Sequence, residues 1–257
     1  MNKLSFLLAS LLFTNISFAE DIYVVSNTNY CVLTPTETPS RTYLNNLNNV
    51  KNWSSYQGSK QVSKNIRLNK FDFNLDVCPD TIFINEKDQE KYQGVDLFTN
   101  KQTLSDSSNI VEVKDKNTLE YTKKVIQKYI KKQSSQSFNK IEQFKLLSGF
   151  KYQQQSYYLV EATNSVEFEE PTKKGEFSFV ALVNVDNKNI IPIETWFVNQ
   201  TKESMRIINK IDGYIDIDND GEYELVVRSS YYEGSSSILY KIVNNKAVQK
   251  RSCTCGL

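Results

Sequence analysis

The chain contains no histidine. That removes the base from Ser-His and Cys-His nucleophile pairs and excludes every His-ligated zinc centre. Glycine is scarce, at 8 in 257 residues, and neither a Gly-rich phosphate loop nor a G-x-S-x-G nucleophile elbow occurs. Proline is scarcer, at 5, and two of these, Pro35 and Pro39, break up one polar stretch. The net charge is only +1 and the lysines are spread along the chain, so nothing argues for a nucleic-acid partner. Long apolar runs are absent after the first 18 residues, so no later segment is expected to span a membrane.

What is present begins with a short positive start, Met1-Asn2-Lys3, then the mostly apolar run Leu4 to Phe18 and the small residues Ser17 and Ala19. This reads as a secretory signal peptide, residues 1–19, cut after Ala19. The run is too short to cross a bilayer comfortably, and Asn15 interrupts it. No cysteine follows the cut, so a lipid anchor is not supported. The expected address is periplasmic or extracellular. The segment holds one Lys and no acid, against 31 Lys+Arg and 30 Asp+Glu in the whole chain, so the remainder is electrically balanced.

Four cysteines remain: Cys31, Cys78, Cys253 and Cys255. An even count in an exported chain favours disulfides, and three pairings are possible. The first expectation is Cys31–Cys78, closing the N-terminal region; it leaves Cys253 and Cys255, which could be close enough to bond but only across a short, strained loop. The alternative ties the C-terminal tail back to the N-terminal region. Zinc at Cys253-Thr254-Cys255 is the rival reading, disfavoured by the missing histidine and the oxidising route.

Residues 20–116 read as an N-terminal region of short strands. Ile22 to Ser26 and Tyr30 to Leu33 pair about the turn Asn27 to Asn29. Thr34 to Asn69 carries turn residues and at most a helical turn near Leu44 to Val50. Ile66 to Val77 alternates like a half-buried strand, and Thr81 to Ile84, Gly94 to Phe98 and Ile110 to Val113 are further candidates. Residues 117–257 read as a helix plus an antiparallel β domain. Asn117 and Glu120 suit a capping box, and Leu119, Val125, Ile126, Tyr129 and Ile130 share a face. The helix lysines fit a solvated face.

From Ile141 the pattern is a meander: Phe144 to Phe150, Tyr157 to Ala162, Phe177 to Val185, Ile190 to Val198, Met205 to Ile211, Leu225 to Arg228, Ser237 to Val243 and Ala247 to Lys250. The predicted class is mainly β (α+β), with one amphipathic helix near 117–132. The C-terminal domain is expected to be an antiparallel meander, sandwich or partial propeller. No repeat of 20 to 50 residues marks a full propeller.

One stretch carries specific chemistry: Asp216-Ile217-Asp218-Asn219-Asp220-Gly221-Glu222-Tyr223-Glu224. Calcium takes about six to eight oxygens. Asp216, Asp218 and Asp220 each offer a carboxylate, Glu222 a backbone carbonyl, and Glu224 a closing carboxylate. Gly221 allows the bend. Without a cation these acids repel one another. An EF-hand also starts D-x-D-x-D-G, but its twelfth position is Glu, and here it is Val227 ahead of more strand residues. The EF-hand is therefore rejected.

The spacing D-x-D-x-D-G-x-x-E, over about residues 212–240, instead resembles the calcium loops of FG-GAP (integrin-α-like, VCBS-type) repeats. The run DIDNDGEYELVVRSSYYEGSS is also similar to C-terminal stretches of exported bacterial proteins. The resemblance implies side-chain ligands at Asp216, Asp218, Asp220 and Glu224, a backbone ligand at Glu222, and Ca²⁺ as the bound ion. That family carries several such loops; this chain has one. Asp212, Glu233 and Arg228 nearby read as ordinary turn or surface residues.

Glu161, Glu167, Glu169, Glu170 and Glu194 supply carboxylates of the kind a glycosidase needs, but no spacing marks a pair. The expectation is an exported, non-catalytic calcium-binding β protein with a structural metal. The alternatives are a secreted hydrolase of glycan or cell-wall substrates and an adhesin-like module with a protein or glycan ligand.

Overall fold

The computed structural model describes residues 23–26, 30–33, 47, 49–57, 60–67, 72–73, 81–83, 97–100, 113–133, 140–152, 155–164, 172–184, 187–199, 205–216, 220 and 222–256. The signal segment 1–19, the turn 27–29, Cys78, the strand residues 110–112, Glu167, Glu169, Glu170 and Asp218 lie outside them.

The molecule is mainly β, built from three antiparallel sheets and a helix. The first sheet has seven strands: β1 (Tyr23–Ser26), β2 (Tyr30–Leu33), β3 (Trp53–Gln57), β4 (Lys60–Ile66), β5 (Asp72–Phe73), β6 (Thr81–Phe83) and β7 (Leu97–Thr99). Their spatial order is β4-β3-β7-β1-β2-β6-β5. Helix α1 (Lys116–Gln133) follows. The second sheet is a meander in the order β11-β10-β9-β8, from β8 (Gln143–Tyr152), β9 (Gln155–Thr163), β10 (Phe177–Asn184) and β11 (Asn189–Phe197). The third, in the order β12-β13-β14-β15, holds β12 (Ile208–Ile215), β13 (Glu224–Tyr231), β14 (Gly234–Val243) and β15 (Lys246–Gly256). Among the described residues no sheet closes on itself into a barrel or propeller.

The apolar clusters stack these elements in layers. Strand β10 is buried along its whole length because it serves two cores. Phe177, Phe179, Ala181 and Val183 pack with Ile126 and Ile130 of α1. Val180 and Leu182 face Leu225 and Val227 of β13 and Tyr240 and Ile242 of β14. A strand covered on both faces needs a continuous apolar run rather than alternation, and Phe179 to Val183 supply it. The third sheet is covered twice as well. Val226, Leu239 and Cys253 pack with Leu33, Tyr56 and Leu97 of the first sheet.

Helix α1 buries Thr122, Ile126 and Ile130, spaced four apart on one face. Thr122 is tolerated there because its hydroxyl donates to the Thr118 carbonyl at 2.7 Å. The N-cap is Asp115, not Asn117. The Thr118 amide donates to Asp115 Oδ2 at 2.8 Å, and the Leu119 amide to the Asp115 carbonyl at 3.0 Å. Asn117 is already the second residue of the helix, so it does not hold the capping position. Hydrogen bonding from the Thr118 side chain first, and from its amide second, holds the Asp115 carboxyl below its ordinary range.

Three further boundaries differ from expectation. Strands β3 and β4 lie within Thr34 to Asn69, where turn residues dominate the sequence. Four consecutive residues of β3 are buried, so tertiary packing overrides local preference. Of the strand expected over Ile66 to Val77, the described residues are Ile66, which ends β4, Arg67, which lies outside any strand, and Asp72 and Phe73 of β5; residues 68–71 and 74–77 lie outside the described residues. At the C-terminus β15 runs through Gly256, so Cys253-Thr254-Cys255 is paired strand, with Cys253 opposite Ser237 and Cys255 opposite Ser235. Leu47 is helical and its carbonyl accepts from the Val50 amide at 3.2 Å, in keeping with a short turn there.

The second and third sheets are joined by polar clasps as well as apolar packing. Strand β12 lies at a sheet edge, where outward amides lack a ladder partner. Side chains of the second sheet satisfy them. Asn209 N donates to Ser178 Oγ at 2.8 Å, and Ile211 N donates to Glu161 Oε1 at 2.7 Å. Beside them Arg206 and Glu176, both buried, form a forked ion pair with contacts of 2.9 to 3.1 Å.

Candidate calcium loop

The 216–224 stretch joins β12 to β13, two neighbouring antiparallel strands, and is a strand-to-strand connection rather than a link between helices. Its base is fixed by packing. Tyr214, fully buried on β12, meets Tyr223 edge-on, with centroids 5.3 Å apart and planes at 89°. Such pairs contribute about 0.5–1.5 kcal/mol beyond the area they bury. Ile215 lies opposite Glu224, so the two ends of the loop leave the sheet side by side.

The acids at the two ends are buried carboxylates. Asp216 is 1% exposed and Glu224 2%. Within the loop Asp216 Oδ1 accepts from the Asp220 amide at 3.1 Å, and Asp220 Oδ1 accepts from the Glu222 amide at 2.9 Å. These bonds fold the chain back on itself and leave further lone pairs on each carboxylate.

A cation from outside the loop reaches the cluster. Glu224 is paired across the sheet with Lys241 of β14. The Lys241 ammonium lies 3.3 Å from Glu224 Oε1 and also forms an ion pair with Asp220 Oδ2. The Lys241 side chain is 13% exposed. Sequence reasoning missed it because it lies 17 positions beyond Glu224. The available signal was the turn: with Tyr232-Glu233 as a two-residue connection, Tyr231 pairs Gly234 and Glu224 necessarily meets Lys241.

The other candidates resolve differently. Arg228 pairs with Asp212 at 3.1 Å rather than with a loop carboxylate. Glu161 and Glu194 both stand opposite Val180, on either side of β10. That places them about two strand spacings apart, roughly 9.5 Å. Both are engaged between the sheets, Glu161 by Ile211 N and Glu194 by the Tyr240 hydroxyl. Each thereby clasps the second sheet to the third. Burial pushes the Tyr240 phenol well above its ordinary range, and the hydrogen bond to Glu194 and its negative charge add to the rise.

Cys253 is buried against the first sheet and is disulfide-bonded. Among the described residues no three His, Cys, Asp or Glu side chains converge on one point. No family model, curated protein or solved structure matches the chain.

Proposed function

We propose that the chain is an exported calcium-binding β protein in which Ca²⁺ is a structural element of the β12–β13 connection. The observation that carries this reading is the burial of Asp216 and Glu224 at the two ends of a D-x-D-x-D-G loop. Buried carboxylates are tolerated only when cations or hydrogen bonds compensate them. Five acids lie between residues 216 and 224, and the described ion pairs bring one lysine to them. A divalent ion would add positive charge at this cluster of acids.

The donor set fits a hard cation. Asp216, Asp218, Asp220 and Glu224 would hold it through carboxylate oxygens and Glu222 through its carbonyl, which is the ligand chemistry calcium prefers. Bound there, the ion supplies positive charge and cross-links both ends of the connection. The chain's residues do the rest. The Tyr214–Tyr223 contact holds the loop base, and the Asp216 and Asp220 turns orient the carboxylates. Export of the chain rests on residues 1–19, whose removal would leave Glu20 as the first residue.

The test is a thermal melt of the purified protein in EDTA and in millimolar Ca²⁺. The melting temperature rises with calcium, and Asp218→Ala abolishes the rise. An unchanged melt in the wild type would end this reading. Affinity is expected on the order of 10⁻⁴–10⁻³ M, the range of extracellular modules.

A further inference from the structure

Lys241 is a cation supplied by the protein itself, and it sits on the oxygens that a metal would need. Its ammonium contacts Asp220 Oδ2 and lies 3.3 Å from Glu224 Oε1. It comes from β14, not from the loop, and the strand register that pairs Glu224 with Lys241 sets its position. A lysine only 13% exposed requires an anion beside it, since transfer of an ammonium from water into the protein costs several kcal/mol otherwise. The buried Glu224 carboxylate and the exposed Asp220 carboxylate are that anion.

We propose that Lys241 is a built-in competitor for the calcium of the 216–224 loop, displaced when the metal enters. This deepens the calcium reading above and rests on it. A Ca²⁺ ion within about 2.6 Å of Glu224 Oε1 and of Asp220 would stand only a few ångströms from the ammonium. At that separation charges of the same sign repel strongly in a partly buried setting. The metal and the ammonium therefore exclude each other. In the metal-free chain Lys241 neutralises part of the cluster and keeps the loop on the sheet. When calcium arrives, the ammonium leaves for solvent and the metal takes over the same oxygens. Lys241 thereby sets a threshold: binding must repay the broken ion pairs, so the loop fills only at high calcium.

The experiment is a calorimetric titration of wild type and Lys241→Gln with CaCl₂, paired with amine labelling of the wild type. Removing one positive charge from the cluster raises calcium affinity by about tenfold or more, as expected for a unit charge a few ångströms away at an effective dielectric between about 20 and 80. Equal affinities in the two proteins would overturn the proposal and leave the calcium reading standing. No binding to either protein would overturn both. The labelling does not depend on the variant folding. Acetylation of Lys241, followed by mass spectrometry, proceeds severalfold faster with millimolar Ca²⁺ than with EDTA. If calcium binds and Lys241 labels at the same rate, the ammonium is not displaced and the proposal fails.

Discussion

A Cβ atom on Gly149 would stand 1.2 Å from the carbonyl oxygen of Tyr157 on the neighbouring strand. Gly149 lies where the register between β8 and β9 shifts, between Leu147 and Phe150. The bulge presses the β8 backbone against β9, so only a residue without a side chain fits. The obstacle is main chain, which a rotamer change cannot relieve. Gly149→Ala should destabilise the fold by more than about 3 kcal/mol, well above the usual range for an added methyl group. Urea denaturation followed by tryptophan fluorescence measures the loss.

The Arg206–Glu176 fork makes a second prediction. Both groups are buried, and the pair links the turn before β10 to the segment leading into β12. Removing one partner strands the other charge inside, which typically costs about 3–5 kcal/mol. Replacing both with neutral residues of similar volume costs much less, because no lone charge remains. Denaturation midpoints of Arg206→Met, Glu176→Gln and the double variant should therefore be strongly non-additive, with the double variant the most stable of the three.

The meander after Ile141 was legible because its turns carry explicit chemistry. Asn244 and Asn245 both adopt positive φ in a two-residue hairpin, and Asn tolerates that conformation better than most residues. The helix was legible from its apolar spacing, though its cap, Asp115, lies two residues ahead of the capping-box pattern. The N-terminal sheet was legible only in part: the β1–β2 hairpin and the short strands β6 and β7 lie where the pattern put strands, but β3 and β4 do not. Trp53 to Tyr56 is buried by contacts with distant strands, and register shifts in β3 and β4 spoil the alternation that marks a strand. The loop acids were visible as a local pattern. Lys241 was not, because its place beside Glu224 depends on pairing between strands.

Tyr240 gives a pH prediction. Its phenol is raised by burial first and by Glu194 second, so the folded state holds the proton to higher pH than the unfolded chain, which titrates near 10. The stabilisation is fully present below about pH 10. It is lost as pH rises above that value, where the unfolded state releases the proton first, at up to about 1.4 kcal/mol per pH unit. Chemical denaturation between about pH 9 and 11.5 should show wild type losing stability more steeply than Tyr240→Phe. Other tyrosines contribute to both proteins, so the difference isolates Tyr240.

The position of Cys253 argues against the expected Cys31–Cys78 pairing, which would leave Cys253 to bond Cys255. Cys253 and Cys255 are two residues apart in one strand, β15. Residues so placed have Cβ atoms roughly 6–7 Å apart, whereas a disulfide needs about 3.5–4.5 Å. A bridge between them would require breaking the ladder that β15 makes with β14. Cys253 is disulfide-bonded and packs beside Leu33 of β2, two residues from Cys31. Its partner is therefore expected in the N-terminal region, Cys31 or Cys78, fastening the last strand to the first sheet. A cross-link closing so long a loop commonly contributes about 2–4 kcal/mol. Non-reducing peptide mapping gives a clear readout. Trypsin cleaves after Arg251 and releases Ser252 to Leu257 with both cysteines. That peptide should migrate attached to an N-terminal one until reductant is added. Its recovery as a free peptide two mass units light would mean that Cys253 and Cys255 are bridged to each other and that β15 does not end as a paired strand.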